Sequence, residues 1–156
     1  MISLAIPGIS DFHWSHLVLD VNGTLTTDGA LLPGVPERLR ALSSQVAVHL
    51  LTADTRGTAC ELARDLGLDC ERVQPGREAQ QTRAHVQALG SERVIAIGNG
   101  NNDAMMLSAA SLGIVVLGEE GAAIRALLAG DVVVRDVVDG LDLLLDPIRL
   151  LSTLRC

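Results

Sequence analysis

Asp20 ends an apolar run, "HLVLD", and the turn-forming Asn22, Gly23 and Thr24 follow at once. Taken alone, an aspartate at such a place is more often a turn residue or helix cap than a chemical group. Two more polar clusters follow apolar runs in the same way. Thr52, Ala53 and Asp54 come after "VAVHLL", and "GNGNND", ending at Asp103, comes after "RVIAI". Backbone N–H groups in an Asn-Gly-Thr turn can cradle an anion, and the Thr52 hydroxyl can donate to a phosphate oxygen. Asp20 and Asp103, drawn together at low dielectric, would repel each other unless a cation lay between them. Hard oxygen donors beside phosphate make Mg²⁺ the expected ion.

The surrounding periodicity indicates what positions these clusters. Short apolar runs over 16–21, 46–52, 93–98, 113–118 and 131–136 predict buried strands, with a weaker edge strand at 70–74. The opening "ISLAIPG" reads as another edge strand. Helical patterns fall at 35–44, 58–66, 78–89, 103–110 and 122–128, and a last apolar helix covers 141–154 with Pro147 as its bend or start. Strand and helix in alternation imply βαβ units with right-handed crossovers. The expected fold is therefore α/β, a single doubly wound, Rossmann-like domain over residues 1–156, with a parallel sheet covered by helices on both faces. Such sheets bind ligands beyond the carboxyl ends of their strands, where strand order reverses. All three polar clusters fall at that edge.

"DVNGTLT", "LLTADT" and "GNGNNDAMML", in this order and spacing, resemble the haloacid dehalogenase-like phosphohydrolase superfamily. The nearer likeness is to small soluble proteins similar to the phosphorylation domain of P-type cation ATPases, and it spans about residues 16–136. The resemblance implies Asp20 as a nucleophile that becomes an aspartyl phosphate. It implies Thr52, with Ala53 beside it, as binder of the transferring phosphoryl group, and Gly23 and Thr24 as backbone N–H donors to phosphate. It implies a Mg²⁺ site built from Asp20, Asn22 through its backbone carbonyl, Asn99 and Asp103.

Three residues depart from the family pattern. Asn22 stands where a general acid/base Asp is usual and cannot shuttle a proton, a loss that typically costs about 10²–10⁴-fold in rate. P-type ATPases carry Thr there and form a long-lived aspartyl phosphate, so phosphorylation survives such a change. Asn99 replaces a carboxylate ligand with a neutral amide, which weakens Coulomb attraction for a metal. The family lysine that neutralises nucleophile and phosphate should fall at Thr82, and Arg77 and Arg83 are the candidates to replace it, although Arg is not a like-for-like substitute.

All 12 cationic side chains are Arg, and the chain has no Lys. A net charge of −7 argues against a nucleic-acid backbone binder. With hydrophobic residues at 48% and aromatics at 1%, the core must be built from Leu, Val, Ile and Ala. Cys60, Cys70 and Cys156 lack metal spacing and read as reduced thiols of a cytosolic protein. His13, His16, His49 and His85 share no metal spacing either and read as structural or surface residues. No apolar run reaches membrane-spanning length, and no signal segment opens the chain. The segments flanking Thr52 and following Leu25 leave no room for a cap domain. Asp54 and Arg56 are substrate contacts or loop residues, and Asp28 is a turn residue. Phe12 and Trp14 anchor an edge strand, make an oligomer contact, or pack the termini. The C-terminal "LDLLLDPIRLL" is a surface for homo-oligomer formation or packs on the sheet. The expectation is a cytoplasmic, Mg²⁺-dependent phosphatase of a small phosphorylated metabolite, acting slowly, with an impaired phosphate- or partner-binding protein as the alternative.

Overall fold

A computed structural model describes residues 1–54 and 57–156. In chain order the strands and helices are Ile2–Ile6 (β1), Ser10–Trp14 (β2), His16–Asp20 (β3), Thr26–Thr27 (β4), Ala30–Leu31 (β5), Val35–Ser43 (α1), Ala47–Thr52 (β6), Thr58–Leu66 (α2) and Asp69–Arg72 (β7). They continue with Glu78–Leu89 (α3), Val94–Gly98 (β8), Ala104–Ala109 (α4), Leu112–Val116 (β9), Ile124–Ala129 (α5), Val132–Val134 (β10), Val137–Leu145 (α6) and Leu151–Leu154 (α7). The central sheet has six strands in the order β10-β9-β8-β3-β6-β7. Every pairing within it is parallel. This is the expected doubly wound α/β fold.

Each buried strand sends alternate side chains to opposite faces, so the sheet serves two cores. Leu17, Leu19, Ile95, Ile97 and Ile114 enter one, with Leu39 and Leu42 of α1, Ala59 and Ala63 of α2, and Leu141 and Leu144 of α6. Val18, Val94, Ala96 and Val115 enter the other, against Val86 of α3, Met106 of α4 and Ala126 of α5. The chain crosses to one side of β3 for β6 and β7, then returns to its other side for β8, β9 and β10. The crevice at this reversal lies between the ends of β3 and β8, which carry Asp20 and Asn99.

Four expectations are corrected or refined. The opening strand β1 joins no edge of the main sheet; it pairs antiparallel with β2 as a separate hairpin, with Ile2 opposite Trp14. That hairpin buries Ile2, Leu4, Ile6 and Trp14, and Phe12 stacks on Trp14 at 5.2 Å. The two aromatic residues thus pack the terminus. The last helix begins earlier than expected, at Val137, because the Asp136 carboxylate accepts the Asp139 N–H at 3.0 Å and caps it. Pro147 then starts a 3₁₀ turn, Pro147–Leu150, that breaks the helix before α7. Leu141, Leu144 and Leu150 are fully buried, so this segment packs an apolar face into the core, while Ile148 stays exposed. Cys60 and Cys70 are joined in a disulfide between α2 and β7, correcting the reading of three reduced thiols; Cys156 is free and exposed.

Neither insertion point carries a cap among the described residues. The first holds only the β4–β5 hairpin, whose turn places Asp28 at φ 51°, and the second holds α2 and β7. No helix among the described residues is long and apolar enough to cross a membrane.

Candidate active site

Asp20 stands at the carboxyl end of β3 and is 8% exposed. Thr24 reaches back from the following turn and donates its hydroxyl to Asp20 Oδ2 at 3.1 Å. The Thr24 hydroxyl oxygen also lies 3.3 Å from Asn99 Oδ1, so one hydroxyl links the first and third clusters. The sequence pointed to the Thr24 backbone, whereas its side chain makes this link.

Burial pushes the Asp20 carboxyl well above the ordinary carboxylate range, and the Asp103 charge adds to the rise. Hydrogen bonds from the Thr24 hydroxyl and the Val21 backbone act the other way, and the Glu120 charge raises it again. Asp103 is 1% exposed. Its Oδ2 accepts the N–H groups of Asn99 at 2.9 Å and Gly100 at 2.8 Å, while Oδ1 is buried without a partner among the described residues. Burial pushes Asp103 up to about 6, the two backbone N–H groups opposing it. An unsatisfied buried acceptor of this kind costs about 1–3 kcal/mol. Two buried carboxylates, both raised by burial and one with an orphaned oxygen, are a donor set suited to a hard divalent cation. The residues present therefore fit Mg²⁺, which Asp20, Asp103, the Asn22 carbonyl and the Asn99 amide oxygen would hold.

The second cluster meets the first at Thr52. That side chain is 1% exposed at the end of β6, and its Oγ1 accepts the Asp54 N–H at 3.0 Å and the Asn22 Nδ2 at 3.4 Å. Ala53 follows, half-buried. Asp54 takes up the first turn of α2: its Oδ2 accepts from the Thr58 hydroxyl at 2.6 Å and the Ala59 N–H at 3.1 Å. It is thus engaged as a cap. Arg56 lies outside the described residues.

Two sets of predicted phosphate contacts are arranged differently. The Gly23 N–H donates to the Thr26 carbonyl at 3.1 Å and the Thr24 N–H to the Val21 carbonyl at 3.2 Å. The turn itself uses the donors that were expected to cradle phosphate. Thr82, in the lysine's place, is 2% exposed and gives its hydroxyl to the carbonyls of Ala79 at 3.1 Å and Asn102 at 3.3 Å, tying α3 to the third cluster. Arg77 and Arg83 are both exposed, and neither forms an ion pair with Asp20 among the described residues. Arg83 instead lines a groove with Gln87, Met105 and Ser108 between α3 and α4. The structure does not bring either guanidinium to the nucleophile.

Sequence reasoning passed over Glu120, in the loop after β9. Its Oε1 accepts the Asp28 N–H at 3.3 Å. Its Oε2 lies 2.6 Å from the position a Cβ on Gly23 would occupy. The available signal was the "GEEG" that follows a buried strand at the same sheet edge. Beside the site a cavity of about 490 Å³ is lined by Gly23, Thr24, Leu32, Pro33, Val137 and Arg135. Elsewhere, three histidines gather: His16 Nδ1 and His49 Nε2 are 3.1 Å apart, and the His49 and His85 rings stand at 5.3 Å. Burial first, then neighbouring cationic groups, lowers the pKa of His16 and His49.

No family model matches the chain. The uncharacterized protein MJ0073 of Methanocaldococcus jannaschii is 52% identical over 65 residues, which cover 42% of this chain and 70% of that protein. The probable copper-transporting ATPase PacS of Synechocystis sp. is 33% identical over 125 residues, 76% of this chain and only 16% of the ATPase. Among solved structures, the 3-deoxy-D-manno-octulosonate 8-phosphate phosphatase of Moraxella catarrhalis, in complex with magnesium, phosphate and KDO, is similar in fold. It superposes with a TM-score of 0.72 over 90% of each chain at 17% identity.

Proposed function

This chain belongs to one family with MJ0073, and from that premise we propose that it is a haloacid dehalogenase-like, Mg²⁺-dependent phosphomonoester hydrolase acting through an aspartyl phosphate on Asp20. The observation that carries the proposal is the meeting of Asp20 and Asp103, both buried, with the Asp103 Oδ1 lacking a partner among the described residues.

In the proposed reaction a carboxylate oxygen of Asp20 attacks phosphorus, the ester oxygen leaves, and water then attacks the same phosphorus to release phosphate and restore Asp20. Thr52 and Ala53 orient the phosphoryl group from the end of β6. Thr24 holds Asp20 through its hydroxyl and fixes which oxygen faces the substrate. Bound Mg²⁺ would offset the repulsion between the two aspartates and the charge on the phosphoryl oxygens. Asn22 offers an amide and no exchangeable carboxyl proton, so the leaving group takes its proton from solvent and turnover is slow. The capless entrance suits a small phosphorylated metabolite, a class that includes the sugar phosphate in the Moraxella enzyme's name.

The test is phosphate release from a panel of small phosphate esters, with Mg²⁺ or with a chelator. Release should need the ion and vanish in Asp20→Ala; release that persists unchanged in that variant would overturn the mechanism. A second reading, a phosphate- or partner-binding protein without turnover, is favoured by the internal bonds of the Gly23 and Thr24 N–H groups. Calorimetric binding of phosphate or metal, with no hydrolysis of any ester, would select it.

A further inference from the structure

We infer that Glu120 supplies, from the β9–α5 loop, the carboxylate charge that Asn99 withholds from the Asp20–Asp103 cation site. The inference rests on the proposed metal-dependent reading and adds to it a residue outside the three motifs. Asn99 and Glu120 meet over one atom, the Cα of Gly23. A Cβ there would lie 2.9 Å from Asn99 Nδ2 and 2.6 Å from Glu120 Oε2. Gly23 also holds φ +80°, a conformation that favours glycine, so the turn and the two side chains fit together only with no side chain at that position.

The loop is stitched to Asn99 at both its backbone and its amide. The Ala123 N–H donates to the Asn99 carbonyl at 2.8 Å, and Asn99 Nδ2 donates to the Gly121 carbonyl at 3.0 Å. Asp28 holds Glu120 from the other side through its backbone N–H. A carboxylate at position 99 would set an oxygen against the Gly121 carbonyl and lose the donor that ties down the loop. The neutral amide is therefore the strap, and the strapped loop returns a negative charge beside the position where one was lost.

The independent pointer to a cation is Asp103, 1% exposed, whose Oδ1 has no partner among the described residues and whose other oxygen accepts the Asn99 N–H. No group of three acidic, His or Cys side chains among the described residues converges closely enough to hold one ion directly. Glu120 therefore acts from outside the inner coordination sphere, through charge and an intervening water. It is a positioning residue for the ion.

The test measures Mn²⁺ and Mg²⁺ affinity directly on the full chain, by calorimetry and by Mn²⁺ paramagnetic resonance, with no substrate present. Glu120→Gln should weaken binding about tenfold or more, as loss of an outer-shell partner typically does. Glu120→Lys should weaken it further, an ordering by charge that a purely structural role would not give. Glu92→Gln, at the opposite end of the sheet, should leave affinity unchanged. If the wild type binds the ion, Asp103→Asn loses it and Glu120→Gln binds as tightly as wild type, this inference is overturned and the proposed function stands. If Glu120→Gln weakens binding but no aspartyl phosphate forms on Asp20, the hydrolase reading fails and the role of Glu120 stands. A wild type that binds neither ion overturns both.

Discussion

Asn22 and Asn99 are neutral where the family resemblance implies acids, and each amide has a bonding partner here. Asn22 Nδ2 reaches Thr52 Oγ1 and Asn99 Nδ2 reaches the Gly121 carbonyl. Their effects on chemistry differ. Asn22 is exposed at the mouth of the site, so a carboxylate there can exchange protons with substrate and water at little desolvation cost. Asn22→Asp should therefore raise the rate of phosphate release by about 10²-fold, the low end of what general acid/base help contributes. Steady-state release at neutral pH with saturating Mg²⁺ measures it. An unchanged rate would show that the missing cation beside the nucleophile limits turnover first. At this scale the gathering of Asp20, Thr52, Asn99 and Asp103 at one sheet edge was legible because their motifs sit at the ends of apolar runs. Glu120 and the Thr24 hydroxyl were not, because their roles depend on which loops the fold brings over Gly23.

The elements that hold the site were legible where their ends carry strong signals. Thr58–Leu66 and Glu78–Leu89 match expectation at both bounds, and Gly67 and Gly90 follow them directly. The β1–β2 hairpin was not, since "SDFHW" has little of the apolar character of a buried strand. Helix α1 is fastened to α6 by a two-pronged ion pair, Arg38 Nε to Asp142 Oδ1 at 2.6 Å and Arg38 Nη2 to Asp142 Oδ2 at 2.9 Å. The Arg38 hydrogen bond, and after it the Arg38 and Arg149 charges against slight burial, hold the Asp142 carboxyl below its ordinary value. A carboxyl depressed in the folded state stabilises the fold above its unfolded pKa, and that stability is lost as pH falls through the folded value. Asp142→Asn should thus cost about 1 kcal/mol at pH ~7, discounted because both partners are more than a quarter exposed. Urea denaturation at neutral pH and again well below the carboxylate range measures the gap between wild type and variant. The gap should close at the acid end, and a gap that persists there would assign the effect to packing.

At the scale of the whole molecule, the parallel, doubly wound sheet could be inferred from strand–helix alternation, whereas the place of the switch between β3 and β8 is seen only in the strand order. The Cys60–Cys70 bond could not: pairing depends on the distance between α2 and β7, and the cysteines' spacing in sequence carries no motif. The bond closes a loop with a sequence separation of 10 at the open edge of the sheet, where β7 has a strand on one side only. Constraining so short a loop in the unfolded chain is worth about 2–3 kcal/mol on the chain-entropy account. Reduction should therefore lower the urea midpoint of the wild type. Cys70→Ser should show the lowered midpoint already and gain no further loss from reductant. The effect should also reach the site, since α2 begins beside the Asp54 cap and Asp54 in turn bonds Thr52. A looser α2 weakens the hold on the Thr52 hydroxyl while Asp20 and Asp103 stay fixed by β3 and β8. Reductant should then raise KM for a phosphate ester in the wild type and leave Mn²⁺ affinity unchanged. Equal loss of both would mean that the edge strand and the cation site unfold as one unit.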